Sequence, residues 1–285
     1  MNAEAMRTKQ AGLEDHLRTW GLRHAPFELS DKGQAIFPAA AHGEALPLLE
    51  TTASLRGVMV LSGSPGSGKS TLTKNWLGTL EPKRYLPVLI TQSSLSGTGV
   101  MEILLAKLGE RPRFKRSGNL LALEAHLADI DPLTLVLVLD DAQNYPAPAL
   151  EEIRMLLGLG GRQRSAFALV MLGDEYLLGS LRLSVQRALF TRISAAMVMS
   201  PLGAQEVAPY LNWHVSRAGL DREIFAPAAV DMLAAASEGN PRTLKLLAQA
   251  AWLAAAREQT TGVEPSHVHI ALRQVPSAIA QTLID

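Results

Sequence analysis

The sequence contains no cysteine. Disulfides, thiolate nucleophiles and cysteine-ligated zinc are thereby excluded. Net charge is missing too: 27 basic and 27 acidic side chains cancel. No global field draws such a protein to nucleic acid, so any nucleic-acid surface must be local. Long apolar runs are absent as well. The start, MNAEAMRTKQAGLEDH, has no apolar signal core, and the longest strongly apolar run, Leu133 to Leu139 broken by Thr134, is too short to cross a bilayer. We therefore expect no membrane association and a cytoplasmic protein. Of the seven histidines only His267 and His269 form a close pair, with no third ligand suggested nearby, and both are expected at the surface. No internal repeat or low-complexity tract is visible.

What is present describes an ordinary soluble globule: 285 residues, 47% hydrophobic and 19% charged. That length suits one α/β domain with a smaller attached one. The chain is organised around Val58 to Thr71, VMVLSGSPGSGKST. A short apolar run, Val58 to Leu61, leads into Gly63, Ser64, Pro65, Gly66, Ser67, Gly68, Lys69, Ser70 and Thr71, then into a helix-compatible segment. Strand, glycine-rich loop and helix in this order make a phosphate site, because successive backbone N–H groups and the positive helix end converge on the same anion. Lys69 is expected to reach the β/γ-phosphates of ATP, and the Ser70 hydroxyl to hold Mg²⁺. The competing reading is a plain Gly/Ser turn before a helix.

The run Leu133 to Leu139 ends in Asp140-Asp141. Buried parallel strands are apolar on both faces, and ligands of open α/β sheets sit at their carboxyl ends. Asp140 is accordingly assigned to Mg²⁺ and Asp141 to the attacking water, against the alternative of two acids capping the next helix. Further strands are expected at Tyr85 to Thr91, Ala166 to Leu172 and Ala195 to Met199, with helices at Leu13 to Trp20, Ala39 to Leu55, Lys69 to Leu80, Thr98 to Leu108, Leu120 to Ala128, Ala149 to Leu159 and Leu181 to Ile193. Five strands with helical connections predict a doubly wound parallel sheet. From Ala204 onward the pattern is only helical: Ala204 to Ala218, Pro227 to Ala236, Pro241 to Glu258 and Pro265 to Arg273. We place N-terminal helices and loop at 1–56, the α/β nucleotide-binding core at 57–202 and a helical lid at 203–285, with a hinge at Pro201 to Gly203.

Two further stretches stand out. Pro26-Phe27 opens an irregular segment up to Phe37, where the ring either plugs a core edge or walls an adenine. Between Gly109 and Gly118 lies the densest basic cluster, Arg111, Arg113, Lys115 and Arg116, with Pro112 and Phe114 interleaved. It is either a solvated loop or a phosphate-contacting, DNA-binding loop.

In combination these residues resemble AAA+ ATPases. The resemblance rests on the phosphate loop, the acidic strand end, a polar strand end at Gly173-Asp174, Leu189-Phe-Thr-Arg192-Ile193, and Gly239-Asn-Pro-Arg242 in the lid. Trp20-Gly21-Leu22 with Pro26-Phe27, LDDAQN and EGNPR narrow it to the group of ExeA-type secretion ATPases and the TnsC and TniB transposon target-selection ATPases. By position the resemblance implies Asp174 as sensor 1, Arg192 as a finger offered to a neighbouring subunit's γ-phosphate, and Arg242 as sensor 2. The competing readings are an Arg192 answering a helix C-terminus, a surface Arg242, and an Asp174 that binds arginine or water. The group's second acid is usually Glu, whereas Asp141 is one methylene, about 1.5 Å, shorter. That implies slow hydrolysis, with ATP binding as the main signal.

The function expected is an ATP-dependent, DNA-binding regulator of transposition that forms a homo-oligomeric ring or filament on duplex DNA and recruits transposase, alongside target-selection proteins. The alternatives are a secretion-assembly ATPase of the ExeA kind, or a nucleotide-switched protein scaffold. An ExeA-like protein is implied to carry a membrane span and a wall-binding domain, which are not expected in a sequence ending at Asp285.

Overall fold

The structure, a computed structural model, describes residues 3–27, 35–92, 99–160, 165–183 and 187–275. Four sequence expectations fall partly outside those residues: 28–34 of the irregular stretch, Thr98, 184–186 within the expected helix Leu181 to Ile193, and 276–285 of the lid. The chain divides into two units, Ala40–Pro65 with Lys69–Ser200, and Met1–Ala39 with Gly66–Gly68 and Pro201–Asp285.

The first unit is built on five parallel strands: β1 (Val58–Ser62), β2 (Tyr85–Ile90), β3 (Thr134–Leu139), β4 (Ala168–Leu172) and β5 (Ala195–Val198). Their order is β2-β3-β4-β1-β5. The three inner strands are β-branched or leucine-rich and buried almost throughout, as parallel strands covered on both faces must be. One face, with Val58, Val60, Leu137, Leu139, Leu169 and Met171, shares a core with Leu104 and Leu105 of α4 (Gly99–Lys107) and with Ile153 and Leu156 of α6 (Ala147–Leu157). Helix α2 (Ala40–Leu55) packs against β1, β3, β4 and β5. Because β4 lies between β1 and β3, the carboxyl ends of the three strands that carry the loop, the acids and Gly173-Asp174 are neighbours. This is the doubly wound sheet expected from the alternation of apolar runs and helices.

Two expectations change in this unit. The helix expected at Leu181 to Ile193 is instead the end of α7 (Leu177–Leu181) and the short α8 (Arg187–Phe190), which bury Leu177, Leu181 and Leu189 from separate turns. Helix α5 (Arg116–Asp129) starts earlier than the apolar spacing suggested, so Arg116 is its first residue and not part of a loop.

The other unit is helical. Helix α1 (Ala3–Trp20) ends at Gly21, whose φ of 73° suits the left-handed turn that stops a helix. It shares a core with α9 (Ala204–Arg217), α10 (Pro227–Ser237), α11 (Pro241–Arg257) and α12 (Pro265–Gln274). Helices α10, α11 and α12 each carry proline in their first turn, where its missing N–H costs nothing. Trp20 meets Trp252 edge to face, with centroids 6.4 Å apart. Phe27 is fully buried. Its ring packs on His214 and Phe225, at 5.5 and 5.8 Å, so it is the core plug and not an adenine wall: a ring without exposed surface has no face to offer a ligand. His267 is also buried, against the surface position expected. Its Nδ1 accepts the Glu264 N–H and its Nε2 faces Glu258 at 3.1 Å, which closes the start of α12. His269 is exposed.

Candidate functional site

The loop after β1 turns where glycine permits it. Gly66 and Gly68 have φ of 91° and 98°, a region that side chains avoid. Gly66 is constrained twice, since a Cβ there would lie 2.7 Å from both Arg242 Cβ and Asn240 Oδ1. Asn240 caps α11, accepting the N–H groups of Arg242 and Thr243, and the Arg242 N–H also reaches the Gly66 carbonyl at 3.3 Å. The Arg242 side chain is exposed. Most of the EGNPR motif is therefore a helix start that meets Gly66 in the same unit.

Within the sheet unit, the Lys69 ammonium donates to the carbonyls of Gly63 (2.7 Å) and Ser64 (2.9 Å). Ser70, one residue further into α3 (Lys69–Thr79), donates to Asp140 Oδ1 at 3.0 Å. A hydroxyl and a carboxylate side by side, from the helix start and from the end of β3, are the hard oxygen donors that Mg²⁺ takes while substrate phosphates and water fill its other positions. The residues present thus fit the metal. Asp140 is held by its own N–H on the Ile90 carbonyl and by accepting the Asp141 N–H at 3.1 Å.

Asp141 is exposed and sits in left-handed backbone, φ 51° and ψ 45°. Asp tolerates this conformation better than most residues, and such strain gathers at functional sites. Nearby, the Tyr145 hydroxyl is buried and has no hydrogen-bond partner among the described residues. Burial, followed by the charges of Asp140 and Asp141, pushes its pKa well above the usual phenol range, so it stays a neutral O–H.

Asp174 lies at the end of β4, and its Oδ1 accepts the Tyr176 N–H at 3.0 Å, which ties this side chain to the turn into α7. Gln143, which the sequence reading left without a role although it lies inside LDDAQN, bridges the two strand ends. It contacts Asp141 Oδ1 at 3.4 Å and the Asp174 N–H at 3.3 Å. Arg192 lies just beyond α8 with an exposed side chain whose guanidinium stands beside Gly158.

The four cations of the basic cluster are not equivalent. Arg116 pairs with buried Glu152 at 2.8 Å, and Arg113 donates to the Gly118 carbonyl at 2.7 Å while its N–H meets Asn119. Arg116 is therefore committed to the fold rather than presented as a DNA contact. Arg111, Phe114 and Lys115 point into solvent, Phe114 without any cover.

Comparison with known proteins agrees with this geometry. Residues 52–181 match the family model of the AAA domain. The matched stretch begins late in α2 and ends at the close of α7, so it takes in the phosphate loop, both acids, Gln143 and Asp174. That match, together with the phosphate-loop geometry, supports ATPase activity. General secretion pathway protein A of Aeromonas hydrophila is 29% identical over 244 residues, covering 83% of this chain. The chain spans 44% of that relative's length. Among solved structures, Cdc6p of Pyrobaculum aerophilum superposes with a TM-score of 0.68 at 21% identity, over 88% of this chain and 70% of the other. The ORC1 protein of Aeropyrum pernix, solved in complex with DNA, gives 0.64 at 18% identity, over 86% and 68%. The RuvB branch migration motor of Thermotoga maritima gives 0.55 at 17%, over 82% and 68%. These likenesses establish the AAA+ fold of a five-stranded parallel sheet followed by C-terminal helices. Among the described residues, no helix is long and apolar enough to cross a membrane.

Proposed function

We propose that this ATPase is an ATP-dependent DNA-binding regulator that oligomerises on duplex DNA and, in transposition, recruits transposase to the target. Lys69 and the loop hold the β/γ-phosphates, Ser70 and Asp140 hold Mg²⁺, and Asp141 orients the water. Mg²⁺, when bound, neutralises charge on the transferring phosphoryl group. Arg192 acts in trans on a neighbour's γ-phosphate, which ties assembly to ATP, and Arg242 acts as sensor 2. Asp141 is short, so turnover is slow and the ATP state persists.

The observation that carries the DNA reading is the loop from Arg111 to Lys115. It is tied down at its base by Arg113 and Arg116, and it presents two cations around a fully exposed aromatic ring. Cations bind phosphates and the ring supplies a stacking or wedging face, whereas a loop serving only solubility gains nothing from an exposed phenyl group. The likeness to ORC1, solved with DNA, supports the same direction. A second reading, a secretion-assembly ATPase, is favoured by the identity to General secretion pathway protein A. A scaffold that binds only proteins is the third.

Fluorescence anisotropy of a labelled duplex, with and without a non-hydrolysable ATP analogue, separates them. The DNA reading expects nucleotide-dependent, cooperative binding whose log–log salt slope is about −0.9 per phosphate contacted. Arg111→Glu with Lys115→Glu should abolish binding and DNA-stimulated hydrolysis, with ATP affinity unchanged. Absence of ATP-dependent DNA binding by the parental protein at low salt would sink this reading in favour of the protein-directed ones.

A further inference from the structure

We infer that Gln143 is a positioning residue for ATP hydrolysis, which holds the short acid Asp141 in place and couples it to the end of β4. The inference rests on the reading of Asp141 as the water-orienting acid.

The end of β4 lies beside the acids, and its side chain, Asp174, is engaged elsewhere: Oδ1 closes the turn into α7 on the Tyr176 N–H at 3.0 Å. The polar group that spans from β4 to the acid comes instead from Gln143. Its amide orientation is fixed by its partners. Only the oxygen can accept the Asp174 N–H, at 3.3 Å, so the NH₂ must face Asp141 Oδ1, at 3.4 Å. Both contacts are long, as catalytic hydrogen bonds often are before substrate tightens them. The room for this amide comes from Gly173. A Cβ at that position would fall 2.9 Å from Gln143 Oε1 and 2.5 Å from Leu177 Cδ2, so any side chain would push the bridge aside.

The chemistry favours an amide at this place. Asp141 lacks one methylene relative to glutamate, and its left-handed backbone aims a short carboxylate whose Oδ1 meets the Gln143 amide. A neutral donor on Oδ1 immobilises the group and leaves Oδ2 to accept from water. Unlike a lysine it forms no ion pair that would lower the basicity of the acid, and unlike a second acid it adds no negative charge near the phosphates. Because its other end is on the backbone of β4, displacement of that strand end would move the acid.

Single-turnover and steady-state ATP hydrolysis of the full chain test this, with Gln143→Leu, Asp141→Asn and the double variant. Gln143→Leu keeps the volume and removes the bridge. Expected are a kcat about 10- to 100-fold lower, with the KM for ATP and the melting temperature unchanged, and no further fall when Gln143→Leu is added to Asp141→Asn. A residue with a merely structural role would instead lower Tm and act equally in both backgrounds. Parental turnover in Gln143→Leu beside an inactive Asp141→Asn overturns the role of Gln143 and leaves the Asp141 reading standing. Additive losses overturn it in the same way. Parental turnover in Asp141→Asn overturns both together.

Discussion

On the proposed reading, Lys69 is a single cation that serves both loop and ligand. Its ammonium donates to the Gly63 and Ser64 carbonyls, and so holds the loop closed around a point where phosphate oxygens compete for the same donors. Lys69→Ala should weaken ATP binding by about 100-fold or more, since a charge-assisted contact to the β/γ-phosphates is lost. The fold should survive, because no buried apolar surface goes with it. Calorimetric titration with ATP, together with a thermal melt, checks both halves. Undiminished affinity in a folded variant would refute the phosphate-loop assignment.

At the scale of elements, two packing arrangements make distinct predictions. Helix α5 is pinned to α6 by Arg116 and Glu152, and the second carboxylate oxygen of Glu152 is buried without a partner among the described residues. Arg116→Ala strands that charge and should cost about 1–3 kcal/mol, read as a lower urea midpoint. A loss of DNA affinity without any loss of stability would contradict the structural role given to Arg116. The aromatic group around His214 makes the second case. Burial first, then the charges of Lys245 and Arg217, lower its pKa from 6.5 to about 3, partly offset by a hydrogen bond with the Pro26 backbone. The folded state therefore resists protonation that the unfolded state accepts. The stability is fully present above about pH 6.5 and is lost as pH falls toward 3, by about 1–2 kcal/mol at pH 5. His214→Phe should flatten the dependence between pH 6.5 and 4 in denaturant titrations. An unchanged slope would place the acid sensitivity elsewhere.

For the whole molecule the question is whether one chain is a complete enzyme. Arg192 is exposed beside Gly158, as a finger offered to another copy must be. Arg192→Ala should bind ATP normally yet lose turnover and assembly together, because the missing charge belongs to the neighbour's transition state. Mixing Arg192→Ala with Lys69→Ala should restore activity: the second protein lends its arginine to the intact phosphate loop of the first. If the mixture stays silent while each variant remains folded, Arg192 acts within its own subunit or not at all.

The sequence by itself determined the elements whose causes are local. Glycines at the loop turn, apolar runs and prolines at helix starts act within a few residues, so the loop, the strand ending in Asp140-Asp141 and the helices α10 to α12 are legible in the sequence alone. Pairings between distant residues were not. No pattern along the chain says that β4 lies between β1 and β3, or that Arg116 would leave a basic cluster to neutralise Glu152. Phe27 and His267 went the same way, since burial depends on what other segments bring to the spot. Gln143 is the clearest case: in the sequence it is one polar residue after two acids, and it gained a role only when the sheet order set Asp174 beside it and Gly173 left it room. Local conformational preference is written into neighbouring residues, whereas partnership across the fold is decided by the packing that brings remote parts together.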